Sequence, residues 1–117
     1  MTINELILEA VQAKDRFWFV QSLEVVERTA QTVTLHFMIQ PTLFVQVYYS
    51  VRSGRFNSAL IGASGRLYGR DREHGQWHLH PFGQSHLHEP TPEGMSPQPI
   101  HQFLTEVETI LLENDLI

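Results

Sequence analysis

Three consecutive segments of this chain, within residues 17–28, 32–39 and 43–51, show a period of two. Every second residue is apolar from Leu23 to Val25 in the first, from Val33 to Ile39 in the second and from Val45 to Val51 in the third. Side chains two apart in a β-strand point to the same face, so each segment predicts a half-buried strand. Turn signals separate these strands, and residues 56–63 and 66–71 predict two more. Strands joined by such short links form an antiparallel meander, because parallel neighbours need long crossovers.

An amphipathic helix is predicted at each end of the chain. Thr2 and Glu5 have the spacing of a capping box, and apolar residues follow at helical spacing to about Lys14. Near the other end, Ser96-Pro97 predicts an N-cap with proline at the first helical position. The prediction is a single α+β domain over residues 1–117: a five-stranded antiparallel meander flanked by two helices, with a long His-rich loop before the second.

Composition and charge narrow the chemistry. Cysteine is absent, which excludes disulfides and cysteine-ligated metal sites. The net charge of −5 argues against a general nucleic-acid coating protein. Residues 51–88 nevertheless carry five arginines against two acids, and this asymmetry can create a local anion-binding surface. The chain has neither a signal-peptide start nor an apolar run that could cross a bilayer, which predicts a cytoplasmic protein without a membrane partner.

Histidines concentrate in one segment, GQWHLHPFGQSHLHEP at residues 75–90, as His78, His80, His86 and His88. In a strand, two histidines separated by one residue point to the same face and could chelate one ion. Neutral imidazole is a good zinc ligand, so a zinc site made of these four histidines is one interpretation of the segment.

Acid–base chemistry without a cofactor is the other interpretation. Histidine titrates near pH ~6.5, so a pair can supply a base for the 2′-hydroxyl of RNA and an acid for the departing 5′-oxygen. His78 and His80 are the acid–base candidates, with His88 third. Asp71 would orient a histidine or hold Arg70.

Arginines and tyrosines near the histidines predict contacts with a nucleic acid. Arginine grips phosphate with a forked geometry, and tyrosine can stack on an unpaired base. A period of two places Arg66, Tyr68 and Arg70 on one strand face, which would form a basic, aromatic strip if that face lies opposite the helices. The candidate substrate-binding residues are Arg66, Arg70, Arg72, Tyr48 and Tyr68.

The order of these features resembles the TumE-like toxin family of bacterial and archaeal toxin–antitoxin systems. Arg70-Asp71 closes an Arg-rich strand, and WHLHP, a second His-x-His pair and a terminal helix follow. Arg72 stands where the family has asparagine, and the REHGQW stretch is longer than the family's insert. The resemblance covers roughly residues 45–112 and implies a toxin that acts on RNA and is neutralised by a cognate antitoxin.

Three functions therefore stand as hypotheses. The first is a toxin-like, metal-independent ribonuclease, a hydrolase that binds RNA. The second is a non-catalytic interaction module, antitoxin-like or effector-associated, whose acidic helices bind a basic protein. The third is a His-ligated metalloprotein. The sequence leaves the oligomeric state open, with a homodimer among the arrangements it allows.

Overall fold

The computed structural model describes residues 1–84, 86, 87, 89, 90 and 97–117. Helices and strands follow one another as a helix, a run of strands and a second helix. Their bounds are α1 Ile3–Arg16, β1 Ser22–Arg28, β2 Thr32–Gln40, β3 Leu43–Ser50, β4 Phe56–Gly62, β5 Gly65–Glu73, β6 Gln76–His80, β7 Glu89–Pro90 and α2 Pro99–Glu113.

All strands of the described residues belong to one antiparallel sheet in sequence order, β1 to β7. The α+β class is as predicted, but the predicted five-stranded sheet is wrong, because the sheet continues into the segment that was expected to be loop. β6 pairs with β5 after a turn at His74 and Gly75, both with positive φ. β7 is only two residues long and contains a proline, which suits the last position in a sheet because proline cannot donate to the ladder.

One face of the sheet is covered by the two helices, and we call the other the open face. Along β2 and β3 the odd-numbered residues are buried under the helices, while the even-numbered ones at 32–38 and 44–48 lie half-buried on the open face. The core between sheet and helices is formed by aliphatic and aromatic residues of both layers, such as Leu6, Phe37 and Phe103.

The two helices run in the same direction across the sheet. Glu9 of α1 contacts His101 in the first turn of α2, and Trp18, just after α1, contacts Glu108 further along α2. The capping box of Thr2 and Glu5 is confirmed. α2 begins at Pro99 rather than at the predicted Pro97, and the expected cap, Ser96, lies outside the described residues.

Candidate functional site

The register of the sheet brings the sequence-predicted histidines and Asp71 together on the open face. Asp71 of β5 lies opposite His78 of β6, and Gly69 lies opposite His80. Because directly opposed residues share a face, both histidines and the aspartate point to the same side of the sheet. Asp71 also pairs with Asn57 of β4, whose neighbour on β3 is Tyr48, so this predicted base-stacking residue lies on the open face as well.

Arg66 reaches the open face through a β-bulge. Leu60 of β4 pairs with Tyr68, and the next residue, Ile61, pairs with Arg66, so Leu67 is an extra residue in β5. A bulge of this kind reverses the alternation of faces along the strand. Arg66 therefore lies with Asp71, whereas Tyr68 points towards the helices.

Three side chains form the centre of the candidate site, and we call them the Arg–His–Asp cluster: Arg66, His80 and Asp71. His80 Nε2 lies 2.9 Å from Asp71 Oδ2, and His80 Nδ1 lies 3.1 Å from Arg66 Nη2. Arg66 Nη1 is 3.6 Å from the same Asp71 oxygen. The Arg66 side chain is 37% exposed, that of Asp71 13% and that of His80 0%.

The donors and acceptors around His80 assign its tautomer. A guanidinium can only donate, so Nδ1 must accept from Arg66, and the ring proton is then on Nε2, where it is donated to the Asp71 carboxylate. Both ring nitrogens of His80 are therefore engaged within the cluster. This buried ring contacts both Arg66 and Asp71, and the Arg66 side chain is the most exposed of the three.

Gly69 provides the space that Arg66 needs. A Cβ atom built on Gly69 would lie 3.2 Å from Arg66 Cδ and 3.6 Å from His80 Cβ. The arginine side chain therefore passes directly over this glycine on its way to His80. Gly69 is not among the glycines with positive φ, so close approach and not backbone conformation explains the residue here.

The remaining histidines of the segment differ in position. His78 is half-buried beside Asp71, whereas His86 is exposed after the end of β6. His88, the third acid–base candidate, lies outside the described residues. Within the described part of the chain, no group of three or more histidine, aspartate or glutamate side chains is arranged to hold a metal ion. The zinc hypothesis that included His86 and His88 therefore has no described site.

Two predicted substrate-binding residues, Tyr68 and Arg70, lie under α2, where Glu106 binds both. The Tyr68 hydroxyl donates to Glu106 Oε1 at 2.5 Å, and Arg70 donates from Nε and Nη2 to the two Glu106 oxygens at 3.2 Å each. Tyr68 also stacks on Phe103, with ring centroids 5.5 Å apart. Burial, together with the hydrogen bond to Glu106, raises the pKa of Tyr68. These contacts connect the sheet to α2.

The predicted strip of Arg66, Tyr68 and Arg70 is thus divided between the two faces of the sheet. Arg72 also points towards the helices, because it lies opposite Phe56 of the core. Sequence reasoning did not single out Glu106 or Gly69. The only signal for Glu106 was a carboxylate placed among the apolar residues of the α2 stripe, and for Gly69 a glycine inside a strand, which often marks a close approach.

Comparisons with known proteins do not assign a family. The chain matches no family model, and neither a curated protein nor a solved structure is significantly similar to it. Neither α1 nor α2, the two described helices, is long and apolar enough to cross a membrane.

Proposed function

We propose that this protein acts on RNA as a toxin-like, metal-independent ribonuclease, with its phosphodiester site on the open face at β5 and β6. The observation that supports this most is the Arg–His–Asp cluster beside His78. It combines a partly exposed arginine, held by His80 and Asp71, with a half-buried imidazole on the neighbouring strand. A positioned cation and a group that removes the 2′-hydroxyl proton both promote cleavage of RNA at its own 2′-hydroxyl.

In this proposal each residue has one role. Arg66 binds the non-bridging oxygens of the scissile phosphate, and His80 and Asp71 keep its guanidinium in place. His78 accepts the proton of the 2′-hydroxyl. The 2′-oxygen then bonds to phosphorus, the bond to the 5′-oxygen breaks, and that oxygen receives a proton from solvent. The products are a 2′,3′-cyclic phosphate and a 5′-hydroxyl, and no metal takes part.

Cleavage of a labelled RNA oligonucleotide in the presence of EDTA tests the proposal. We expect ends with a 2′,3′-cyclic phosphate, and no cleavage of an oligonucleotide that lacks the 2′-hydroxyl at every position. Arg66→Gln should lower the rate by about 10²–10³-fold, because it removes a preorganised cation. His78→Asn should lower it by about 10²–10⁴-fold. Arg52→Gln, at an exposed turn, is the matched control and should cleave like the wild type.

The same experiment separates the alternatives. Activity that disappears with EDTA and returns with a divalent metal would contradict a metal-independent mechanism. Cleavage that is equal in the wild type, Arg66→Gln and His78→Asn would place the reaction elsewhere or in a contaminant. Folded protein, shown by circular dichroism, is required of each variant before its rate is interpreted.

Trp18 favours a second candidate function, a module that binds another protein. Its side chain is 63% exposed although its indole N–H donates to Glu108 Oε2 at 2.8 Å. Leu112, one helical turn beyond Glu108, is 56% exposed, and α2 contains no lysine or arginine. A fixed, exposed tryptophan beside acidic residues suits a basic protein partner, such as the antitoxin that the family resemblance implies.

Growth of a bacterial host on induction distinguishes the two functions. A toxin predicts growth arrest by the wild type and by Trp18→Ala, but not by Arg66→Gln. If Trp18 binds the antitoxin, co-expression of the neighbouring gene's product should rescue growth from the wild type and fail to rescue it from Trp18→Ala. Unhindered growth with folded wild-type protein would favour the interaction module alone.

A further inference from the structure

A cleft of about 220 Å³ lies on the helix-covered side of the sheet, away from the Arg–His–Asp cluster. One side of the cleft is formed by four neighbouring strands, at the end of β3, the beginning of β4, the end of β5 and the beginning of β6. The start of the chain and the start of α2 form the other side. Its described lining is Met1, Tyr49, Phe56, Arg72, Trp77, Pro97 and Pro99.

Aromatic rings form one wall of this cleft. The Phe56 ring lies 5.9 Å from Tyr49 and 5.9 Å from Trp77, measured between centroids. The Tyr49 hydroxyl donates to the Met1 carbonyl at 2.8 Å, which fixes the ring relative to the start of the chain. Adjacent rings and two prolines give an apolar surface on which a flat group can pack.

Arg72 supplies charge to the cleft. Arg72 of β5 is paired with Phe56 of β4 on one side and with Trp77 of β6 on the other. The Phe56 and Trp77 rings approach each other across β5 on the same face as Arg72. The Nε of Arg72 is buried and has no hydrogen-bond partner in the part of the chain that the structure describes. No acidic residue lines the cleft among the described residues, and none of their ion pairs includes Arg72. A buried guanidinium donor without an acceptor is costly, and an anion that accepts from it would remove the cost.

We propose that this cleft binds a small organic anion: a planar ring that carries one phosphate or carboxylate group. The aromatic wall would hold the ring, and Arg72 would bind the anionic group. The size agrees, because a cavity of about 150 Å³ is enough for benzene, and this one is about 220 Å³. The site is separate from the proposed RNA site, since Arg72 and Arg66 lie on opposite faces of the sheet.

Fluorescence of Trp77 tests the site directly. The chain has two tryptophans, so Trp18→Phe leaves Trp77 as the only emitter. Phenyl phosphate and benzoate are the probes, with benzyl alcohol as the ring without charge and inorganic phosphate as the charge without a ring. Free N-acetyltryptophanamide, titrated in parallel, gives the non-specific quenching to be subtracted. We expect saturable binding of both aromatic anions with dissociation constants of about millimolar or below.

Variants of the Trp18→Phe protein identify the anion-binding group. Arg72→Gln should weaken both aromatic anions at least tenfold, Arg72→Lys less than Arg72→Gln, and Arg52→Gln not at all. The tighter of the two probes identifies the preferred anionic group. Benzyl alcohol binding as tightly as benzoate would overturn the role of charge, and inorganic phosphate binding as tightly as phenyl phosphate would overturn the role of the ring. No saturable response to either aromatic anion in folded protein would overturn the site.

Discussion

Gly69 decides whether Arg66 can reach His80. An added Cβ would lie 3.2 Å from both Arg66 Cδ and the Ser58 carbonyl oxygen, so Gly69→Ala requires the arginine or the neighbouring strand to shift by a few tenths of an ångström. We expect a loss of about 1–3 kcal/mol in the free energy of unfolding, the usual cost of overpacking. Urea denaturation measures it, and the RNA cleavage rate of Gly69→Ala should fall towards that of Arg66→Gln.

Gly62→Ala is the matched control for this substitution. Its added Cβ would meet only the end of the Leu67 side chain, 3.1 Å away, which can rotate aside. We expect a smaller loss of stability and an unchanged cleavage rate. Equal effects of the two alanine variants would mean that crowding of Arg66 is not the reason for glycine at position 69.

Asp71 satisfies the buried N–H of His80. Asp71→Ala leaves that donor without its carboxylate, and we expect the free energy of unfolding to fall by about 1–3 kcal/mol. Asp71→Asn keeps an acceptor and should lose less. Asp15→Ala is the control, because the Asp15 side chain is 77% exposed and its contact with Lys14 is 4.0 Å long. A loss for Asp71→Ala no larger than for Asp15→Ala, measured by urea denaturation, would refute the assigned tautomer network.

At the scale of residues, the sequence identified the members of the site better than their arrangement. Arg66, Asp71 and His80 were candidates from residue type and position alone, and they contact one another. Tyr68 and Arg70 were assigned to the same face as Arg66, and the bulge at Leu67 separates them. One extra residue in a strand moves the following side chains to the opposite face, and no local sequence pattern indicates where such a bulge occurs. The separation of these residues can therefore be seen only from the pairing of β4 with β5.

The start of α2 depends on a residue of α1. Glu9 Oε2 accepts from the backbone N–H and from Nδ1 of His101, at 2.9 Å each, and so satisfies an amide of the first helical turn as a cap would. Glu9→Ala should lower the free energy of unfolding by about 1–3 kcal/mol, and Glu9→Gln by less, because it still accepts a hydrogen bond.

Glu113→Ala is the control for this cap, since Glu113 is exposed at the last turn of α2. A change within about 0.5 kcal/mol is expected there. Urea denaturation and the amide exchange rate of His101 are the measurements. If exchange at His101 is as slow in Glu9→Ala as in the wild type, the cap is not what orders the first turn of α2.

Because the Tyr68 hydroxyl of β5 donates to Glu106 of α2, the free energy of unfolding should decrease at alkaline pH. Burial and the Glu106 hydrogen bond raise the pKa of Tyr68 above its ordinary 10.0, so the folded state favours the protonated phenol. That contribution is complete below pH 10 and is lost as the pH rises further. We expect Tyr68→Phe to be less stable than the wild type at pH 8 and the difference to shrink near pH 11. A constant difference across this range would contradict the prediction.

At the scale of elements, periodicity located both helices and the first five strands. It missed β6 and β7 for different reasons. Residues 77–80 do alternate, with Trp77 and Leu79 towards the helices and the two histidines on the opposite face. The histidines and the proline at position 81 are residue types that are also common in loops, so the short alternation did not indicate a strand. β7 has two residues, too few for any period to show. Only its pairing with β6 identifies it as a strand.

At the scale of the whole molecule, charges of both signs lie on each face of the sheet. On the open face, Asp71 offsets the charge of Arg66 within the Arg–His–Asp cluster, and Glu24 and Glu27 of β1 lie opposite open-face residues of β2. The last turn of α1 in the helix layer is basic, although the chain as a whole has a net charge of −5. A polyanion such as RNA would therefore bind through local contacts with a few cations rather than through a long-range field.

A quantitative consequence concerns salt. If Arg66 and one protonated histidine are the main phosphate contacts, binding releases about two counterions from single-stranded RNA. A plot of the logarithm of the binding constant against the logarithm of the salt concentration should then have a slope of about −1.4. Affinity would then drop only about sevenfold between ~50 and ~200 mM salt. Fluorescence anisotropy with a 2′-O-methyl oligonucleotide, which is not cleaved, measures the slope. Arg66→Gln should reduce its magnitude by about 0.7, and Arg52→Gln should leave it unchanged. A slope of about −4 or steeper would show that a larger basic surface binds the RNA.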